Sequence, residues 1–180
     1  MCVIIVKDKG AQMPSKTILK RAFFANPHGI GFVSTNGLYW RGMNFNEFYA
    51  QLKGVKKEDG CIIHFRFATH GSHKVSNCHP FRHKDLFFAH NGVLPVRTFN
   101  DMTDSETVFR NRITPVYDQF GIDSQEFEDV VLDNLHYSKF AFLKDQEIHL
   151  YGDFRQMNGI WYSNFNWMPY KTSLGFCHAR

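Results

Sequence analysis

The sequence predicts an α+β domain in which two mostly antiparallel sheets pack face to face under helical layers. Three observations lead there. Short β-branched or aromatic runs bounded by turn residues dominate both ends of the chain, while helix-period stretches lie between them. The 180 residues suit one domain, 1–180, with enough length to bury a sizeable core. The first six residues, Met1-Cys2-Val3-Ile4-Ile5-Val6, set a cysteine before an apolar, β-branched run that reads as a buried strand.

The elements follow in order. Lys7 to Pro14 is a polar turn. Ser15 can cap a helix over Lys16–Asn26, where Ile18, Leu19, Ala22 and Phe23 share a face. Asn26-Pro27-His28-Gly29 breaks it. Ile30–Ser34 and Leu38–Arg41 read as strands joined through Thr35-Asn36-Gly37. A second helix is expected over Asn46–Leu52, then a charged loop over Lys53–Asp59 and a strand over Cys61–Phe67. Ala68–Arg82 is too rich in Gly, Ser, Asn, His and Pro for regular structure, and Leu86–His90 is another strand. Helices follow from Thr103 or Asp104 toward Phe120 and over Phe127–Leu135. Strands are expected at Lys139–Lys144, Ile148–Tyr151, Gly159–Ser163 and Thr172–Cys177.

Composition narrows the class. Hydrophobic residues make up 43% and charged residues 21%, which marks a globular chain rather than a disordered one. The net charge of +4 comes from scattered basic residues, so nucleic acid is not an expected partner. No apolar run approaches the ~20 residues of a membrane span. There is no charged and apolar leader, and the four cysteines include no C-x-x-C pair. The chain therefore reads as cytoplasmic, with reduced thiols and no membrane partner.

Cys2 is the first chemical signal. Methionine is normally trimmed before a small residue. Trimming would leave Cys2 with a thiol and a free α-amine, whose pKa of ~7.7–8.0 makes it a base at neutral pH. A nucleophile with a built-in base is an N-terminal-nucleophile arrangement. The plain alternative is a small buried hydrophobe opening a strand.

Further signals cluster in mid-chain. In Ile62-Ile63-His64-Phe65-Arg66-Phe67-Ala68-Thr69-His70-Gly71, the strand period puts Ile62, His64 and Arg66 on one face. A buried arginine needs an anion, and its planar fork suits a carboxylate from a ligand or from an internal salt bridge. Asn77-Cys78-His79-Pro80 comes next. In His90-Asn91-Gly92, a side-chain amide sits beside an unobstructed glycine N–H. That pair can be a tight turn or an oxyanion hole. Thr103-Asp104-Ser105-Glu106 reads as a capped helix start, and Asp104 could also hold an ammonium group.

Taken in this order, these motifs resemble the class II glutamine amidotransferase family, in particular the glutaminase domain of glucosamine-6-phosphate synthase. The likeness runs from Cys2 to about Val108. It implies a four-layer α/β/β/α sandwich of the N-terminal-nucleophile hydrolase type. It also implies glutamine as substrate, no cofactor and no metal. Cys2 would form a γ-glutamyl thioester and release ammonia. Asn91 and the Gly92 N–H would form the oxyanion hole. Arg66, helped by Thr69 and His70, would take the substrate α-carboxylate, and Asp104 its α-ammonium. Two features depart from the family pattern. Val3 stands where the family usually has glycine, and the chain ends at Arg180 without an evident synthase or sugar-isomerase domain. The ammonia acceptor is therefore expected on a separate synthetase-type protein.

Three rival readings stand beside this one. His64, His70, His73, Cys78, His79, His83 and His90 crowd one segment and could bind zinc, although no spacing matches a zinc finger or H-E-x-x-H. The thiol could act on another amide or a γ-glutamyl compound. The chain could also be a non-catalytic module.

Overall fold

A computed structural model describes residues 2–68, 72–98, 102–168 and 177–178 of the chain. Strand β1 (Val3–Lys7) is buried along its whole length, as its unbroken apolar run requires. It lies between β4 (Cys61–Phe65) and β10 (Ile160–Tyr162), antiparallel to both. Strands β2 (Ile30–Ser34) and β3 (Tyr39–Gly42) extend the sheet beyond β4. On the other side lie β9 (Arg155–Met157) and β11 (Cys177–His178), giving the order β11-β9-β10-β1-β4-β2-β3. The second sheet runs β5-β6-β7-β8, from β5 (Phe81–His83), β6 (Leu86–Asn91), β7 (Lys139–Lys144) and β8 (Glu147–Tyr151). Every described pairing is antiparallel.

The pleat sorts side chains into three cores. Ile4, Val6, Val33, Ile62, Ala89 and Ala141 fill the space between the sheets. Val3, Ile5, Ile63 and Phe65 face the other way, onto helices α1 (Lys16–Ala25) and α2 (Phe45–Leu52). Phe88, Phe140 and Phe142 pack on α3 (Asp104–Val108), α4 (Thr114–Phe120) and α5 (Gln125–Leu135). The expected α/β/β/α sandwich is the observed fold. Phenylalanine supplies much of the second helical face, with Phe88 stacked on Phe109 at a ring separation of 5.0 Å. Among the described residues no helix is long and apolar enough to cross a membrane.

Several local expectations need correction. The helix expected from Thr103 or Asp104 to Phe120 is not uniform. Thr103 caps it, its Oγ1 accepting from the Glu106 N–H at 3.1 Å, but Phe109–Ile113 forms a wider π-type turn before α4. Pro115 has no N–H to continue the ordinary ladder there, so the helix opens at its approach. β5 lies at the end of the stretch read as irregular. Its three residues are too short a run to show a strand period. The strand expected over Gly159–Ser163 begins at Ile160, because Asn158 and Gly159, both at positive φ, turn β9 into β10. Of the strand expected over Thr172–Cys177, residues 172–176 lie outside the described residues.

Candidate active site

Cys2 immediately precedes β1, on the face shared by Ile4 and Val6, and so opens toward the space between the sheets. Its Sγ accepts the Phe67 N–H at 3.3 Å and lies 3.5 Å from the Phe67 carbonyl. Burial pushes the Cys2 thiol pKa up, against the lowering effects of the Phe67 N–H and the Arg66 charge. The thiol is therefore protonated at neutral pH and needs a base to become a nucleophile.

Asn91 ends β6 and is 3% exposed. Its Nδ2 lies 2.8 Å from Ser163 Oγ, and its Oδ1 is buried with no partner among the described residues. Ser163 follows β10 and binds β1 twice. Its Oγ accepts the Ile4 N–H at 2.8 Å, and its own N–H donates to the Ile4 carbonyl at 3.0 Å. Asn164 comes next, and its Nδ2 donates to the Cys2 carbonyl at 2.7 Å. The run after β10 thus ties the strand behind Cys2 to the end of β6. Sequence reasoning assigned no role to Ser163 or Asn164. The only signal was a polar Ser-Asn pair closing an apolar strand, and their contacts cross about 160 positions of chain.

Gly92 sits at φ +151°, a conformation that side chains rarely adopt. A Cβ there would lie 2.2 Å from Ser138 Oγ and 3.0 Å from His90 Nε2. Both of those atoms are themselves buried without partners among the described residues. The glycine is required by close approach as well as by its backbone angle.

Arg66 follows β4 and is 3% exposed. Its Nη1 donates to the Ser72 carbonyl at 3.1 Å and reaches the His28 carbonyl at 3.5 Å, so the guanidinium bridges two loops beside Cys2. Asn77 Nδ2 donates to the same Ser72 carbonyl at 3.1 Å. His28 accepts the Ala68 N–H at 3.0 Å and stacks on His73 with ring centres 4.1 Å apart. Gly29 makes this approach possible: a Cβ there would lie 2.5 Å from Cys78 Sγ. Thr69 and His70, expected to help Arg66, lie outside the described residues.

Asp104 opens α3. One carboxylate oxygen accepts the Leu94 N–H at 2.9 Å, and the other accepts the Ser105 N–H at 2.8 Å. It anchors the segment that follows Gly92. Ser105 Oγ also lies 2.7 Å from His90 Nδ1. His90, His64 and His79 form a buried group, in which His64 Nε2 meets the His90 carbonyl at 3.0 Å and the His64 and His79 rings lie 4.3 Å apart. Burial holds all three neutral, lowering His64 to about 3 and His90 to about 4, with His79 also well below its usual range. The histidine crowding in the sequence is here largely an internal packing feature. Among the described residues no group of three or more His, Cys, Asp or Glu side chains is placed to hold a metal ion.

Residues 53–141 match the model of the family described as glutamine amidotransferases class-II. The matched segment, just under half of the chain, is similar to that family. It contains Arg66, Asn91, Gly92 and Asp104 but does not reach Cys2. The fold agrees: the chain is similar to the solved structure of the allosteric regulatory enzyme of purine biosynthesis, with a TM-score of 0.59 at 18% identity over 90% of this chain. The chain corresponds to 41% of that protein's length. No curated protein matches the chain.

Proposed function

We propose that the chain is a glutaminase: it hydrolyses the side-chain amide of glutamine through a Cys2 thioester and feeds the ammonia to a separate synthetase-type protein. The observation that carries this reading is the junction at the start of β1. There the Cys2 thiol lies against the Phe67 amide, and the strand behind it is joined through Ser163 to the Asn91 carboxamide.

The chemistry follows from that placement. With Met1 removed, the Cys2 α-amine takes the proton that burial keeps on the thiol. The sulfur attacks the amide carbon of glutamine, and the carbonyl π pair moves onto oxygen. Asn91 and the Gly92 N–H receive that oxyanion. Collapse of the intermediate breaks the C–N bond, and the α-ammonium returns its proton to the departing ammonia. Water then attacks the thioester, giving glutamate and restoring the thiol. Arg66 pairs with the α-carboxylate, helped by Thr69 and His70, and Asp104 takes the α-ammonium. Asp104 Oδ1 accepts from both the N–H and the Oγ of Ser105, while Oδ2 accepts the Leu94 N–H and has a second lone pair for an ammonium. A zwitterionic amino acid fits one cation and one anion.

The test uses protein whose intact mass shows a free Cys2. It should release ammonia from glutamine and be labelled on Cys2 by a glutamine-like diazoketone. Ammonia release by Cys2→Ala at the wild-type rate would end this reading. Recovery of a bound synthetase from native cells, and faster glutamine turnover in its presence, tests the acceptor.

A different amide is the second reading, favoured by one observation. Arg66 and Asp104 are both already engaged by backbone groups, as purely architectural residues would be. Selective turnover of γ-glutamyl amides or other amides over free glutamine would establish it.

A further inference from the structure

We propose that Ser163 is a positioning residue: its hydroxyl sets the orientation of the Asn91 carboxamide so that the NH2 group faces the reacting carbonyl. This rests on the glutaminase reading and adds a residue to it.

The argument is a hydrogen-bond count. Ser163 Oγ has two neighbours, the Ile4 N–H and one end of the Asn91 carboxamide, each at 2.8 Å. A backbone N–H can only donate, so Oγ accepts from Ile4. If Nδ2 is the end facing Ser163, Oγ accepts twice and its own hydrogen has no acceptor among the described residues. Asn91 Oδ1 is then left buried and unpartnered. The two ends of a carboxamide are nearly isosteric, and which is oxygen is decided by the bonds each can make. Turning the group by half a revolution lets Ser163 Oγ–H donate to Oδ1. The hydroxyl is then used in both directions, and the single unpaired group is the Nδ2 donor.

That remaining orphan is what an oxyanion site needs. A buried donor without a partner is costly in the empty site and is relieved as negative charge develops on the substrate oxygen. The support is rigid, because Ser163 is bonded to Ile4 through both its side chain and its N–H. Ser163 is 4% exposed and Asn91 3%, so water competes little for either. The same hydroxyl therefore relates the strand that carries the nucleophile to the residue that would stabilise the charge.

The experiment has two arms on protein beginning at Cys2. Neutron diffraction from deuterated crystals should show two deuterons on the Asn91 atom facing away from Ser163, and the Ser163 deuteron pointing at Asn91. In kinetics, Ser163→Ala should lower kcat for glutamine by ~10–10²-fold, less than the ~10²–10³ of losing the donor outright, with KM within about threefold. Adding Ser163→Ala to Asn91→Ala should cost nothing more, since both changes remove one function. A merely structural serine would instead lose activity independently of Asn91. Ser163→Thr, which keeps the hydroxyl, should recover most of the loss. Deuterons on the Asn91 atom facing Ser163, an unchanged kcat in Ser163→Ala, or independent losses in the double variant would overturn the proposal. If the wild type does not hydrolyse glutamine, the glutaminase reading fails, and the neutron map still decides the orientation of Asn91.

Discussion

The two ends of β1 are both built from polar groups in a dry interior, yet they are finished differently. At the far end, Lys7 is 1% exposed, and its ammonium donates to the carbonyls of Lys57 at 2.8 Å, Asp8 at 3.3 Å and Asp59. Donor and acceptors are matched, and the result is a clamp on the loop before β4. At the near end, one end of the Asn91 carboxamide, Ser138 Oγ and His90 Nε2 are buried near the Asn91–Gly92 turn without partners among the described residues. Unpaired buried polar atoms cost free energy, so a fold keeps them where something else completes them. The comparison separates a structural end from an end that expects a ligand.

The sharpest way to break this contrast is at the thiol. Cys2→Ala should reduce glutamine turnover by ~10⁴–10⁶-fold while lowering the melting temperature only slightly, since the sulfur's hydrogen-bond partners among the described residues are the N–H and carbonyl of Phe67 alone. Ammonia release and thermal melts on the same samples decide it. Gly92→Ala comes next. The added methyl meets Ser138 Oγ and the backbone is at φ +151°, so kcat should fall by ~10²–10³-fold through a displaced oxyanion site. Arg66→Ala should act mainly on KM for glutamine. A charged hydrogen bond of ~1.5–3 kcal/mol corresponds to roughly 10–150-fold weaker binding. An unchanged KM would assign Arg66 a structural role, which includes holding Ser72 and His28. Lys7→Met sharpens the other half of the comparison. It should cost about 1–3 kcal/mol of stability with little change in kcat, read by denaturant titration beside the assay.

The smallest step per unit change is in pH. His64 and His90 are lowered from 6.5 to about 3 and about 4 by burial, with Asp104 pulling His90 the other way. The unfolded chain binds protons on these rings below about 6.5, and the folded chain does not until about 4 and 3. Stability is therefore fully present above about 6.5 and is lost as pH falls toward 4, by up to ~1.4 kcal/mol per pH unit for each histidine. Melting temperatures between pH 8 and 4.5 should trace that fall. A flat profile would mean that the rings are hydrated or paired.

The architecture was largely legible in the sequence because it rests on local periodicity. The apolar runs at β1 and β4 marked strands covered on both faces. Ser15, predicted as a helix cap, accepts the Ile18 N–H at 3.3 Å. Asn91-Gly92 was readable as a tight turn or an unobstructed backbone N–H, but not as the close approach to Ser138. β5 and β9 escaped because three-residue strands carry no period, and Gly159, read as the start of a strand, instead lies in the turn between β9 and β10.

What the chain determined by itself was therefore most of the elements and a set of candidate groups for chemistry. Those are properties of a residue and its near neighbours. Only the tertiary structure decided how those groups are held. The partners of Cys2 include Phe67 and Asn164, and the partner of Asn91 is Ser163, at separations of 65, 162 and 72 residues. The same holds for the neutrality of His64, His79 and His90, which comes from two sheets closing over them rather than from adjacent residues. Hydrogen-bond geometry and burial depend on which distant segments meet, and no local pattern encodes that meeting.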